Sequence, residues 1–103
     1  MKYIVKDIIK SDIARGKEKG NMLYTVLYNK IAYNIENNIQ EKILVSFANI
    51  TNLNYLFCSK GLGKLFKNFD EDYLFNFLEI VEVENESYID TIKVSIANSI
   101  LLK

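Results

Sequence analysis

The sequence predicts a small α/β domain: a mostly parallel or mixed sheet of three to four strands, packed by three helices. Three observations carry that expectation. Short β-branched runs alternate along the chain with longer runs whose apolar residues recur every three to four positions. The resulting order, β-(β)-α-β-α-β-α, favours right-handed crossovers and parallel pairing. Nothing divides the chain, which has 103 residues, no proline, four glycines and no internal repeat, so 1–103 reads as one domain.

Residues 2–9 are rich in β-branched side chains and predict the first strand. Asp12-Ile13-Ala14 is a short extended piece placed to pair back onto it. The polar run from Arg15 to Gly20 reads as a loop. From Asn21 the period changes. Leu23, Leu27, Ile31 and Ile35 fall four apart, which predicts a helix over 21–38 with those residues facing the sheet. Ile43, Val45 and Phe47 alternate with Leu44, Ser46 and Ala48. Both sets are mostly apolar, so this strand is expected to be covered on both faces.

Asn49 to Asn54 reads as a turn. Over 56–67, Phe57, Cys58, Gly61, Leu62 and Leu65 share one helical face, and Lys60, Lys64 and Lys67 lie on the other. Gly61, on the apolar side, predicts a close approach of this helix to the sheet, although its two glycines lower helix propensity. Asn68 to Asn76 holds an acidic turn and a short helical turn around Tyr73 and Leu74. Leu78 to Val83 is the third long strand. Ser87 and Asp90 have the spacing of a capping box, and Ile89, Ile92, Ile96 and Ile100 make the closing helix amphipathic.

Half of the residues are hydrophobic and a quarter are charged, the balance of a folded chain. Net charge is zero, which argues against a general nucleic-acid binder. No apolar run approaches the length of a membrane span. The single cysteine, Cys58, excludes an internal disulfide and fits a reducing cytoplasm, the expected location. Without histidine there is no imidazole base and no zinc site of the usual Cys/His kind. The glycines at 61 and 63 lack the spacing of a phosphate-binding loop. Asp70-Glu71-Asp72 and Glu82/Glu84/Glu86 read as a solvated turn and a strand end, not as the unequal, partly buried pair that acid/base catalysis needs. The expectation is a binding module rather than an enzyme, with no cofactor and no metal.

Two stretches carry a resemblance. Ile43-Leu44-Val45-Ser46-Phe47-Ala48-Asn49-Ile50 and Tyr55-Leu56-Phe57-Cys58-Ser59-Lys60-Gly61-Leu62-Gly63-Lys64-Leu65-Phe66 resemble the STAS-like domain of unknown function, which is similar to anti-sigma-factor antagonists. Gly20-Asn21-Met22-Leu23-Tyr24 resembles the glycine-led start of that family's first helix, and Leu78-Glu79-Ile80 and the closing helix fit as well. The resemblance implies a small α/β sandwich that regulates by protein–protein contact, with a kinase-like or anti-sigma-like partner. It also implies a Ser or Thr phosphorylated at the start of the helix after the second long strand. Here Tyr55 and Leu56 stand at that place, Ser46 stands at the strand's acidic position, and Thr51 and Ser59 fall outside the pattern. The scaffold is expected without its phospho-switch.

Two stripes remain for recognition. If Leu23 and Leu27 face the sheet, Met22, Val26 and Tyr33 lie on the outer side of the first helix, a candidate partner or homodimer surface. Lys60, Lys64 and Lys67 are a candidate dock for an acidic partner or an RNA backbone, and Tyr55, just before the second helix, is expected to be exposed. An alternative reading is a mobile-element-encoded inhibitor that uses such stripes to block a larger host or defence protein, such as a CRISPR nuclease.

Overall fold

The computed structural model describes all 103 residues. The elements run β1 (Lys2–Ile4), α1 (Val5–Ile9), β2 (Ile13–Ala14), α2 (Lys17–Glu36), β3 (Ile43–Ser46), β4 (Asn52–Leu53), α3 (Tyr55–Cys58), a π-helical turn (Ser59–Gly63), α4 (Lys64–Asn68), α5 (Glu71–Phe77), β5 (Leu78–Val81) and α6 (Glu86–Leu101). Residues 55–68 continue without a break as one central helix, because Ser59 and Lys64 keep right-handed helical dihedrals at the two junctions. β1, β3 and β5 form a parallel sheet with β3 in the middle, and β2 and β4 form a separate parallel pair. The chain is therefore a mixed α/β domain with mostly helical content.

The helices pack through glycines. Gly61 turns to α2, where an added Cβ would lie 3.1 Å from Leu23 Cδ2 and 3.3 Å from the Gly20 carbonyl. Gly63 turns the opposite way to α6, where a Cβ would lie 2.3 Å from Ser99 Oγ and 3.2 Å from the Ser95 carbonyl. The π turn thus seats α2 on one side and α6 on the other. Leu23, Leu27, Ile31, Phe57, Leu62 and Leu65 are fully buried with Ile43 and Val45 of the central strand.

Several local expectations are corrected. The first strand ends at Ile4, and Val5 and Ile9, one helical turn apart and both buried, fold instead as α1. β2 pairs with β4, not with β1. α2 starts at Lys17, within the stretch read as a loop. Its fourth inward position is the fully buried Asn34, whereas Ile35 is 47% exposed. The turn after β3 contains β4. Gly61 approaches α2 rather than the sheet. The cap of α6 is Asn85, whose side chain accepts from the Ser87 N–H at 2.9 Å, so Ser87 lies inside the helix. β5 stops at Val81 because Glu82 takes a left-handed backbone, φ 59°.

β3 is packed on one face and largely open on the other. Ile43 and Val45 are buried, and Tyr3, Leu78 and Ile80 share their side. On the other side Lys2, Ile4 and Glu79 are exposed, Leu44 and Val81 are half-buried, and only the small Ser46 is buried. This is unusual for a parallel sheet. The Lys2–Glu82 ion pair bridges the strands flanking β3.

Burial pushes the Cys58 thiol from its ordinary 9.0 up to about 12. At pH 8 a thiol reagent should label the native chain only as fast as it opens, and completely in denaturant. Rapid labelling of folded protein would mean that α3 frays. Unfolding releases a proton from this thiol above pH 9, so stability should fall as pH rises from about 9 towards about 12.

Candidate protein-binding edge

α6 is held against the central helix, and the way it is held leaves one side of it open. Ser95 and Ser99 are both buried; the Ser99 side chain and the Ser95 carbonyl lie against Gly63, and the two hydroxyls donate to the carbonyls of Ile92 and Ser95. At one end Tyr88 donates its hydroxyl to the Thr51 carbonyl at 2.8 Å. At the other, the Asn98 amide donates to the Tyr55 hydroxyl at 2.9 Å. These contacts fix the rotation of α6. They leave Ile89, Ile92 and Ile96 on the side of α6 that faces the outer strand of the sheet, with Ile92 also reaching the core.

That outer strand is β5, and it has no neighbour beyond it. Between β5 and α6 lies a groove of about 390 Å³, walled by Ile80, Val83, Ile89, Ile92 and Ile96, with Glu82 and Lys93 at its rim. Of the isoleucines on α6, only Ile92 is buried. A volume of this size falls within the range of ligand clefts, about 300–1,000 Å³.

The main chain at this edge is also free. The Val81 carbonyl accepts from the Phe47 N–H at 3.0 Å, so the polar groups of Val81 and Glu79 face β3. By the alternation of a strand, the N–H and C=O of Ile80 point outward. Residues 82–84 make no main-chain hydrogen bond.

The charge there is mostly acidic, with Lys93 the basic exception. Residues 79–90 contain five carboxylates (Glu79, Glu82, Glu84, Glu86 and Asp90) and no basic residue, on a chain of zero net charge. Lys2 engages Glu82 and, together with Ser46, holds its carboxyl below the ordinary range. Glu79, Glu84, Glu86 and Asp90 are exposed.

The stripes expected from the sequence lie elsewhere. Met22 and Tyr33 are exposed and Val26 is half-buried, along the outer side of α2. Lys64 and Lys67 are exposed, but Lys60 is half-buried where its stem meets Gly20. Lys64 Nζ sits 4.5 Å from the centre of the Tyr24 ring, a cation–π contact that ties it to α2. Tyr55 is 43% exposed, with its hydroxyl engaged by Asn98. Both stripes therefore gather on the α2 side of the central helix, and neither lines one of the molecule's cavities.

Sequence reasoning missed the groove. Ile89 and Ile96 read as ordinary core positions, and the glutamates read as a solvated strand end. The signal was there in the run of five acids without a base beside an isoleucine-rich helix.

A second cavity, about 200 Å³, lies between the end of α2 and α5 and is lined by Asn34, Gln40, Tyr73 and Phe77 among others. The Asn34 amide and the Tyr73 hydroxyl are buried there without hydrogen-bond partners. No group of three or more acidic or thiol side chains is close enough to hold a metal ion, and no helix is long and apolar enough to cross a membrane. No family model, curated protein or solved structure matches the chain.

Proposed function

We propose that this chain is a non-enzymatic regulatory module that works by binding another protein, and that the partner docks where β5 meets α6. One observation carries the reading: an apolar groove opens beside a strand edge whose main chain has no partner. Apolar clefts with a few polar groups at the rim are the usual shape of binding sites. Unpaired strand edges are templates for pairing with another chain. The STAS-like resemblance of residues 43–66 supports the same class of function. With Tyr55 and Leu56 at the place of the phosphorylated hydroxyl, regulation by this module runs through occupancy of the groove rather than through phosphate.

Photo-crosslinking in the native cell tests this. A benzophenone side chain at Ile89 should give one discrete adduct with a single protein, and Val83→Asp in the same chain should abolish it. Probes at Met22 and at Lys67 should give none. Adducts from Met22 or Lys67 alone would move the interface to the α2 side. The absence of adducts from all three sites, with the chain folded and expressed, would remove the protein-binding reading.

A further inference from the structure

The reading of β5 and α6 as a docking edge leaves the chemistry of the partner open. Resting on that reading, we propose that the occupant is an extended, basic segment of the partner protein, which adds to β5 as a fourth strand. Its alternate apolar side chains fill the isoleucine groove, and the lysines or arginines between them meet the exposed glutamates.

The alternation follows from the register of the sheet. A strand laid beside β5 presents its side chains to the two faces in turn. Residues beside Ile80 fall on the helical side, where Ile89, Ile92 and Ile96 leave apolar room. Residues beside Glu79 fall on the opposite side, the face that no helix covers. Glu79 is exposed there, and no salt bridge engages it. Opposite charges across neighbouring strands are favourable, and like charges are not. Main-chain affinity comes from the outward N–H and C=O of Ile80 and from the unpaired main chain of residues 82–84. Strand addition of this kind takes its affinity from backbone bonds and its specificity from alternate side-chain pockets.

The same charges select against the other occupants. A second copy pairing β5 with β5 about a two-fold axis would bring Glu79 and Glu84 of both chains to one seam. A fatty-acyl chain would fit the groove, but its anionic head would find only Lys93 at the rim and would leave the open main chain of β5 and the exposed Glu79 unanswered. A basic strand satisfies the groove, the edge and the charge together.

The probes are four synthetic peptides and the whole chain. One is an eight-residue peptide alternating lysine with valine. The second has glutamate in place of lysine. The third and fourth are the lysine peptide with N-methyl groups on alternate amides, in the two phases, so that one of them blocks the edge-facing donors. Affinity is read by calorimetry at low and high salt, and the docking position by amide shifts of residues 78–84.

The lysine peptide should bind and shift those amides. Salt should weaken it, and the glutamate peptide should bind at least about tenfold more weakly. One methylated phase should also lose about tenfold or more, because it removes the N–H donors that face β5, and the other phase should not. Equal binding of both methylated phases would overturn strand addition. So would preference for the glutamate peptide, or a dimer of this chain that the peptide does not dissociate. If no peptide binds while the Ile89 crosslink still captures one protein, the strand proposal falls and the binding-module reading stands. If both fail, both fall.

Discussion

Replacing Phe57 with alanine should destabilise the chain by about 3–5 kcal/mol, the range for an aromatic side chain truncated in a packed core. Phe57 is fully buried, and its helix is the one element that contacts both α2 and α6. Removing its ring opens a cavity at the junction of three helices, where backbones already in close contact cannot collapse inward. Gly20 shows why: a Cβ there would lie 2.9 Å from the Phe57 carbonyl. A domain of this size has a total stability of roughly 5–15 kcal/mol, so the variant should still fold but melt at least about 10 °C lower. The check is urea unfolding with an unchanged m-value. A loss below about half a kilocalorie would show that the 55–68 helix packs in another phase.

The second large effect is at the α6 contact. Gly63→Ala places a methyl 2.3 Å from Ser99 Oγ, closer than any real Cβ sits, and 3.2 Å from the Ser95 carbonyl. Overpacking of this kind costs about 1–3 kcal/mol, and the gain in helix propensity from glycine to alanine, about 1 kcal/mol, offsets only part of it. Ser99→Ala removes the closest atom and loses only a hydroxyl bond within its own helix, at 2.9 Å to the Ser95 carbonyl. The double variant should therefore be more stable than Gly63→Ala alone, with a coupling of about 1 kcal/mol or more in a double-mutant cycle. Strict additivity would mean that α6 shifts as a body to admit the methyl. In that case crosslinking from Ile89 should change as well, because the same helix forms one wall of the groove.

Much of the architecture was legible in the sequence. The alternation of periods placed α2, β3, the central helix, β5 and α6 in the right order, and the inward faces of 23–31 and 57–65 were read correctly. The failures share a physical cause. In short segments, helical and strand spacings coincide: Ile4, Val5, Ile8 and Ile9 suit a strand by composition, yet Val5 and Ile9 also fall one helical turn apart, and tertiary packing chose the helix. A strict four-residue spacing from Leu23 predicts Ile35 inward, but a turn of about 3.6 residues drifts against that spacing, and the phase that buries Leu27 and Ile31 carries Asn34 inward instead. The groove was not legible because an isoleucine at the open edge of a sheet and an isoleucine inside it look the same in sequence. Only the count of strands on that side of the sheet separates them.

Every strand pairing in this fold is parallel, which has a kinetic consequence. Lys2 pairs with Leu44, Ile13 with Asn52 and Ile43 with Leu78, at separations of 42, 39 and 35 residues. There is no hairpin, so no pair of strands can zip up from a tight turn. Each ladder must close a loop of several tens of residues before its first hydrogen bond forms, and that loss of chain entropy precedes any gain from the contact. The helices, whose contacts are local, can form within microseconds, while the sheet waits for them to bring its strands together. Refolding should then be limited by docking of α2 on the central helix. Truncations on that contact should slow folding, whereas those on β5 and α6 should chiefly speed unfolding.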